Sequence, residues 1–268
     1  AFCPCASCER ARELGGPSLR KRCSALVDDE LLIDLGPDVM AASQIHGTSL
    51  ARLHYCLQTH EHADHLDPHH FASRSASCGV YGVPRLHWYA SEGALRKAAA
   101  SLGPRVAEAG LLDSAVGERL NLTPHPVRPF ETFDVGPYRV TSLAAAHDPT
   151  LVAMLYLIEH RGRRLFYGTD TGPLPEGTWK ALGALGQPLN VVVLDHTFGW
   201  KGPSAVHLNR EQFLEQVDRM RSAGLLADGA RVFAHHLAHH SNPAHPDMVE
   251  LAAQRGYEVA YDGLTIDV

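Results

Sequence analysis

The chain has 268 residues, 45% hydrophobic and 20% charged, with a formal net charge of -6. This balance excludes a disordered chain, the negative charge excludes a general basic field for a nucleic-acid backbone, and no run of 18 apolar residues offers a membrane-crossing helix. The length suits one large α/β domain over residues 1–268.

The sequence opens on Ala1 rather than methionine, as it would if residues ahead of it had been removed. Cys3, Cys5 and Cys8 follow in FCPCASCERAR. Three thiols in six residues exceed a disulfide pair, and the charge around them rules out the apolar core of a secretory signal. A thiolate knuckle on zinc at residues 3–8 fits better and needs one further ligand. Cys23, Cys56 and Cys78 stand alone, as in a protein of the reducing cytoplasm.

Short apolar, β-branched runs predict strands at Ser24–Val27, Glu30–Asp34, Leu53–Gln58, Tyr138–Leu143, Leu151–Glu159, Arg164–Gly168, Asn190–Asp195, Arg231–His235 and Glu258–Tyr261. An Ala-rich stretch from Ser91 to Ser101 reads as helix, while the rest of residues 84–135 gives mixed signals and no assignment. Asn209 with Gln212 three residues on is a capping box, opening a helix with Phe213, Val217 and Met220 on one face. A last helix runs from about Pro246 to Gly256, with Met248, Leu251 and Ala252 as its inner stripe. Together these elements predict a layered α/β sandwich with functional residues on loops at strand ends.

The stretch THEHADH, residues 59–65, carries the chemistry. The two-residue period of extended chain puts His60 and His62 on one side, and the following turn can swing Asp64 and His65 toward a neighbouring point. Imidazole and carboxylate suit zinc, manganese or iron, and each ion of a catalytic pair needs about three protein ligands. Four donors are too few for two ions, so further donors are expected at other strand ends. The candidates are His147 after SLAAA, Asp170 after LFYGT, and His235 or His236 after RVFA.

The motif HxHxDH from His60 to His65, with LLIDLG upstream, YGTD at Asp170 and a late histidine, resembles the metallo-β-lactamase superfamily. The resemblance implies an αββα sandwich with a two-metal site. By the family pattern His60, His62 and His147 hold one ion, Asp64, His65 and His236 hold the other, and Asp170 bridges them. Asp34 is expected to support the ligand loop from behind its donors. CPCASCERAR, RCSALV, HHLAHH and GYEVAYDGLTIDV further resemble the phosphodiesterases of the carbon-phosphorus lyase pathway of phosphonate degradation. That branch also contains tRNA 3′-end processing nucleases and a pyrroloquinoline quinone biosynthesis protein. It implies a structural zinc on Cys3, Cys5, Cys8 and His239. Such relatives carry a short strand and a Gly-rich loop ahead of the knuckle, and neither stands in this sequence as given, which leaves the first strand unassigned.

The resemblance implies a hydrolase in which two divalent ions share an activated, bridging hydroxide, acting on a small or cyclic phosphodiester. Asp64 takes part in catalysis, and His196 or His235 is the candidate general acid beside Asp195. Lys201 and His207 are candidate substrate contacts. A hydrolase of other esters, thioesters or lactones and a tRNA-processing-like nuclease are the alternatives, the latter disfavoured by net charge. An inactive metal-stabilised binding protein is disfavoured by the complete ligand set. The expected partner is a small molecule, with neither nucleic acid nor membrane, and a homodimer is compatible with the sequence.

Overall fold

The structure is a computed structural model and describes residues 2–268. Helix α1 (Ala6–Leu14) starts directly after Cys5. Strands β1 (Ala25–Val27) and β2 (Leu31–Ile33) pair antiparallel across a turn at Asp28 and Asp29, whose φ angles of 49° and 61° suit a short polar side chain. The chain continues through α2 (Val39–His46), β3 (Tyr55–Leu57), α3 (His69–Ser73), β4 (Leu86–Ala90), α4 (Glu92–Ser101), α5 (Pro104–Ala109), α6 (Ser114–Leu120) and β5 (Leu122–Pro126). These strands form a sheet in the order β1-β2-β3-β4-β5, parallel from β2 onward.

A second sheet is built from β6 (Thr132–Val135), β7 (Tyr138–Ala144), β8 (Met154–His160), β9 (Arg163–Gly168), β10 (Leu189–Asp195), β11 (Leu226–His235) and β12 (Glu258–Val259). Its order is β12-β11-β10-β9-β8-β7-β6, with β9 to β12 parallel. Helices α7 (Glu176–Gly183), α8 (Arg210–Ser222) and α9 (His245–Ala253) connect its parallel strands. No helix among the described residues is long and apolar enough to cross a membrane.

The chain divides into two compact units, one holding Arg22–Glu131 and Thr150–Met154, the other the segment through Lys21, Thr132–Pro149 and Leu155–Val268. In the first unit Leu32, Cys56 and Trp88 lie side by side across β2, β3 and β4 and pack with Ala94, Leu95 and Ala98 of α4 and Val116 and Leu120 of α6. In the other, Phe166, Val192, Leu194 and Val232 pack with Phe213, Val217 and Met220 of α8 and with Met248 and Ala252 of α9. Phe213, Val217 and Met220 recur at helical spacing, and each is buried to within 1% of completion. Burying each such side chain contributes roughly 1.5–3 kcal/mol.

The expected capping box of α8 is present, with Gln212 N donating to Asn209 Oδ1 at 2.8 Å. Two expectations need correction. Leu251 is 36% exposed and does not belong to the inner stripe of α9, because the helix is short and only Met248 and Ala252 face inward. The part of 84–135 left unassigned holds regular elements, β4, α5, α6, β5 and β6, and β5 forms despite its two prolines. Strand β5 is the edge of its sheet, the one place where missing N–H donors cost little.

What the topology does for function is local to each unit. Parallel neighbours deliver their carboxyl ends side by side, the usual position for ligand-binding residues in open α/β sheets. In the first unit these ends are Asp34 after β2 and the segment 58–65 after β3; in the second they are Thr169 and Asp170 after β9, Asp195 closing β10, and His236 after β11.

Candidate metal centre

In the first unit everything is organised by Asp34, which is fully buried and held at φ 63°. Its carboxylate accepts hydrogen bonds from Thr59 N at 2.7 Å, Thr59 Oγ1 at 2.9 Å, Gln58 Nε2 at 2.9 Å and His65 Nδ1 at 2.7 Å. Because the Thr59 hydroxyl donates to Asp34, it can only accept from His60 Nδ1, 2.9 Å away. Both histidines therefore donate from Nδ1. His60 Nε2 faces His62 Nδ1 at 3.0 Å, and His65 Nε2 lies 3.7 Å from Asp64 Oδ2. The four residues of THEHADH thus stand as two pairs of donors. Gln58 fixes the loop between them by donating also to the His60 and His65 carbonyls, at 2.9 and 3.0 Å. Gly36 completes the support: a Cβ there would come within 2.9 Å of the Asp64 carbonyl.

The second unit repeats the device. Asp195, also fully buried, accepts from Thr197 N at 3.0 Å, Thr197 Oγ1 at 2.8 Å, Leu208 N at 2.9 Å and His207 Nδ1 at 3.1 Å. Thr197 Oγ1 in turn accepts from His236 Nδ1 at 2.8 Å. Asp170, 2% exposed, sits among these rings, 3.0 Å from His236 Nδ1, 3.6 Å from His207 Nδ1 and 3.8 Å from His147 Nε2. His147 has its own brace, since Nδ1 donates to the Val206 carbonyl at 3.2 Å. That carbonyl is close because Gly172 lacks a side chain: a Cβ there would collide with Ala205. One ligand atom from each of Asp170, Asp195, His207 and His236 lies within 4.8 Å of the others.

Also in the second unit, Cys3, Cys5, Cys8 and His239 bring three Sγ atoms and an imidazole nitrogen within 4.8 Å of one another. Cys5 precedes α1 and Cys8 falls in its first turn, so one helical turn aligns both thiols, and Cys5 Sγ lies 3.6 Å from His239 Nδ1. The hydrogen bond from His239, helped by the Cys8 amide, pulls the Cys5 thiol down to about 6. Burial and the neighbouring thiols push the Cys8 thiol up.

A sequence model of the β-lactamase superfamily domain matches residues 29–236. The chain belongs to the metallo-β-lactamase superfamily. Among solved structures it is similar to a diphosphatase of the PhnP family, with 20% identity and a TM-score of 0.70 over 98% of this chain and 89% of the other. Zinc-bound PqqB from Methylobacterium extorquens shows 19% identity and a TM-score of 0.66, covering 100% and 94%. The short form of human tRNase Z shows 14% identity and a TM-score of 0.60, covering 94% and 95%. At such identities the likeness is one of fold, and these neighbours are of the kinds named by the sequence resemblance. No curated protein matches the sequence significantly.

The donors fit the divalent ions of a metallo-β-lactamase fold. Ligating histidines characteristically donate their second ring nitrogen to a carboxylate or carbonyl, and His65 and His147 both do so, while His60 and His236 use a threonine that itself leans on a carboxylate. Sulfur donors with one imidazole suit a closed tetrahedral zinc site. Among the other expected residues, His235 sits apart from these donor groups, its ring edge-on to Tyr167 at 5.6 Å. Lys201 lies on the exposed loop after β10.

His196 needs correction as a general acid. Its ring is fully buried beside Phe213, at 5.2 Å, and Tyr257, at 6.1 Å, and Nδ1 donates to Asn242 Oδ1 at 2.9 Å. Burial pushes its pKa down, which disfavours the charged form that a general acid must carry. Side chains alternate along a strand, and Asp195 takes the donor side. His207, expected as a substrate contact, is held by Asp195 through Nδ1 and lies beside Asp170 and His236. Thr59 and Thr197 went unforeseen, although each stands directly beside or two residues from a predicted donor or support.

Proposed function

We propose that this protein is a dinuclear metal-dependent phosphodiesterase acting on a small or cyclic phosphodiester. In this reading, which keeps the ligand sets that the family resemblance implies, His60, His62 and His147 would hold one ion, Asp64, His65 and His236 the other, and Asp170 would serve both. The observation that carries it is the repeated Asp–Thr brace, Asp34 with Thr59 and Asp195 with Thr197, which holds His60, His65 and His236 through Nδ1, so that Nε2 is the nitrogen each would offer an ion. Bound in such a site, two divalent ions supply an activated water and neutralise charge at phosphorus. The similarity in fold to a diphosphatase of the PhnP family and to tRNase Z favours phosphorus over carbon as the attacked centre. Cys3, Cys5, Cys8 and His239 hold a third, structural zinc, whose thiolates stay reduced in the cytoplasm.

His207 supplies the proton to the leaving oxygen. Asp195 is acceptor-only as a carboxylate, so it fixes the His207 proton on Nδ1 when the ring is neutral and stabilises the imidazolium when Nε2 gains a second proton. The side chain is 16% exposed, against 0% for Asp195, so the ring reaches the solvent side while its partner does not.

The experiment is turnover of bis(p-nitrophenyl) phosphate, with metal content measured alongside. Hydrolysis abolished by chelation and restored by zinc or manganese, with about three ions per chain, is the expected result. Preference for carboxylic esters, thioesters or lactones across a panel would overturn the phosphodiester reading. For the acid, His207→Ala is expected to lower kcat by about 10²–10⁴-fold on diesters with alkyl leaving groups. The same variant has little effect on p-nitrophenyl esters, whose leaving group needs no proton. A uniform loss on both substrate types would make His207 a structural residue instead.

A further inference from the structure

The loop after β10 carries an unusual combination of rigidity and exposure. Trp200 is 40% exposed, while Trp88 and Trp179 are only 0% and 6% exposed. Yet the loop that carries it is tied down at every step. Trp200 N donates to the Ser241 carbonyl at 2.9 Å, Arg210 N to the Gly199 carbonyl at 2.7 Å and Asn209 Nδ2 to the Lys201 carbonyl at 2.9 Å. Gly199, at φ 36°, lies so close to Asn242 that any side chain would collide with it. Arg210 stacks over the indole at 5.4 Å. Holding a large aromatic ring in place at the surface has no packing benefit, so the ring's own environment explains why it is there.

That environment is a shallow surface cavity, wide open to solvent, within the second unit, lined by Trp200, Lys201, His240, Ser7, Asp247 and Leu251 among others. Phe198 packs against the proposed acid His207 at 5.1 Å and against His240 of the cavity lining at 6.2 Å. Lys201 Nζ stands 6.0 Å from the same Phe198 ring.

The geometry points to this cavity as a subsite for a nucleoside carried by the substrate, an inference that rests on the phosphodiesterase reading above. The indole offers a stacking face for a base, Lys201 and His240 lie where phosphate oxygens of the same ligand enter, and Ser7 and Asp247 offer polar contacts at the far wall. A bare anion is a poorer occupant, because it would leave the indole and Leu251 uncovered and would meet the Asp247 carboxylate. The substrate class is therefore a nucleotide diester or a nucleoside diphosphate linkage.

The test compares two esters that release the same p-nitrophenol, thymidine 5′-(p-nitrophenyl phosphate) and ethyl p-nitrophenyl phosphate, on the holoenzyme. The nucleoside ester is expected to show a KM about tenfold lower, the scale of one base stacked on an aromatic ring. Trp200→Ala is expected to remove that advantage and leave KM for the ethyl ester unchanged. Equal KM values in the wild type, or a rise for both esters in Trp200→Ala, would overturn the subsite while leaving the hydrolase intact. Calorimetric titration with AMP and with inorganic phosphate separates the two readings. If neither ester turns over, the phosphodiesterase reading fails. The subsite then stands if AMP binding weakens about tenfold in Trp200→Ala with phosphate binding unchanged, and falls if AMP does not bind.

Discussion

Asp170→Asn is expected to reduce diester hydrolysis by on the order of 10³-fold, the scale of losing a charged group that acts directly at the reacting centre. The substitution is nearly isosteric, and asparagine tolerates the left-handed backbone that Asp170 adopts at φ 49°, so the strand end keeps its shape. What is lost is the carboxylate charge at the point where His147, His207 and His236 converge. A neutral amide is a poor ligand for a divalent ion among imidazoles, which leaves the ions without a shared anion. The metal count is accordingly expected to fall from about three to about one per chain, the remaining ion being the zinc at the cysteines. Circular dichroism and thermal midpoint stay near wild type. If Asp170→Asn keeps turnover within about tenfold of wild type, a range smaller than any direct catalytic role allows, the shared-ion arrangement is wrong.

How far the sequence alone discloses this site depends on whether a residue's role is set by its neighbours in the chain or across the fold. THEHADH is legible because its spacing alone carries the donors on one short segment, and the capping box at Asn209 is legible because both partners lie within one helical turn. The braces are not. Asp34 and Thr59 are 25 residues apart, and Asp195 and His207 are 12 apart, so their pairing exists only once parallel strands bring their carboxyl ends together. His196 and His207 differ in the same way: His196, next to Asp195 in sequence, packs beside Phe213 and Tyr257, while the loop between Phe198 and Leu208 brings His207 to the Asp195 carboxylate. Strand β5 is obscured differently. Pro124 and Pro126 argue against a strand in general, and only the knowledge that this strand is an edge removes the objection.

The cysteine clasp extends the same logic from side chains to stability. Cys5→Ser is expected to release one zinc and to destabilise the protein by about 5 kcal/mol, a part of the roughly 10–16 kcal/mol that structural zinc contributes in small peptides. For a chain of this size that corresponds to a fall in thermal midpoint of about 10–20 °C. The reason it is not larger is that the N-terminal segment has other anchors in its unit. Arg20 donates to the Pro243 carbonyl at 3.0 Å, Lys21 N donates to Asp262 at 2.9 Å, and the exposed Arg10–Asp247 pair adds little. The consequence reaches beyond stability because His239 lies three residues after His236, so loosening the clasp frees the loop that carries a proposed catalytic ligand. Limited proteolysis is therefore expected to cut Cys5→Ser near α1, and hydrolysis to weaken in parallel with loss of zinc. Retention of all three ions and of the wild-type midpoint by Cys5→Ser would mean that the thiols do not hold a metal, and that the ordinary hydrogen bonds of residues 10–21 suffice to seat the N-terminus.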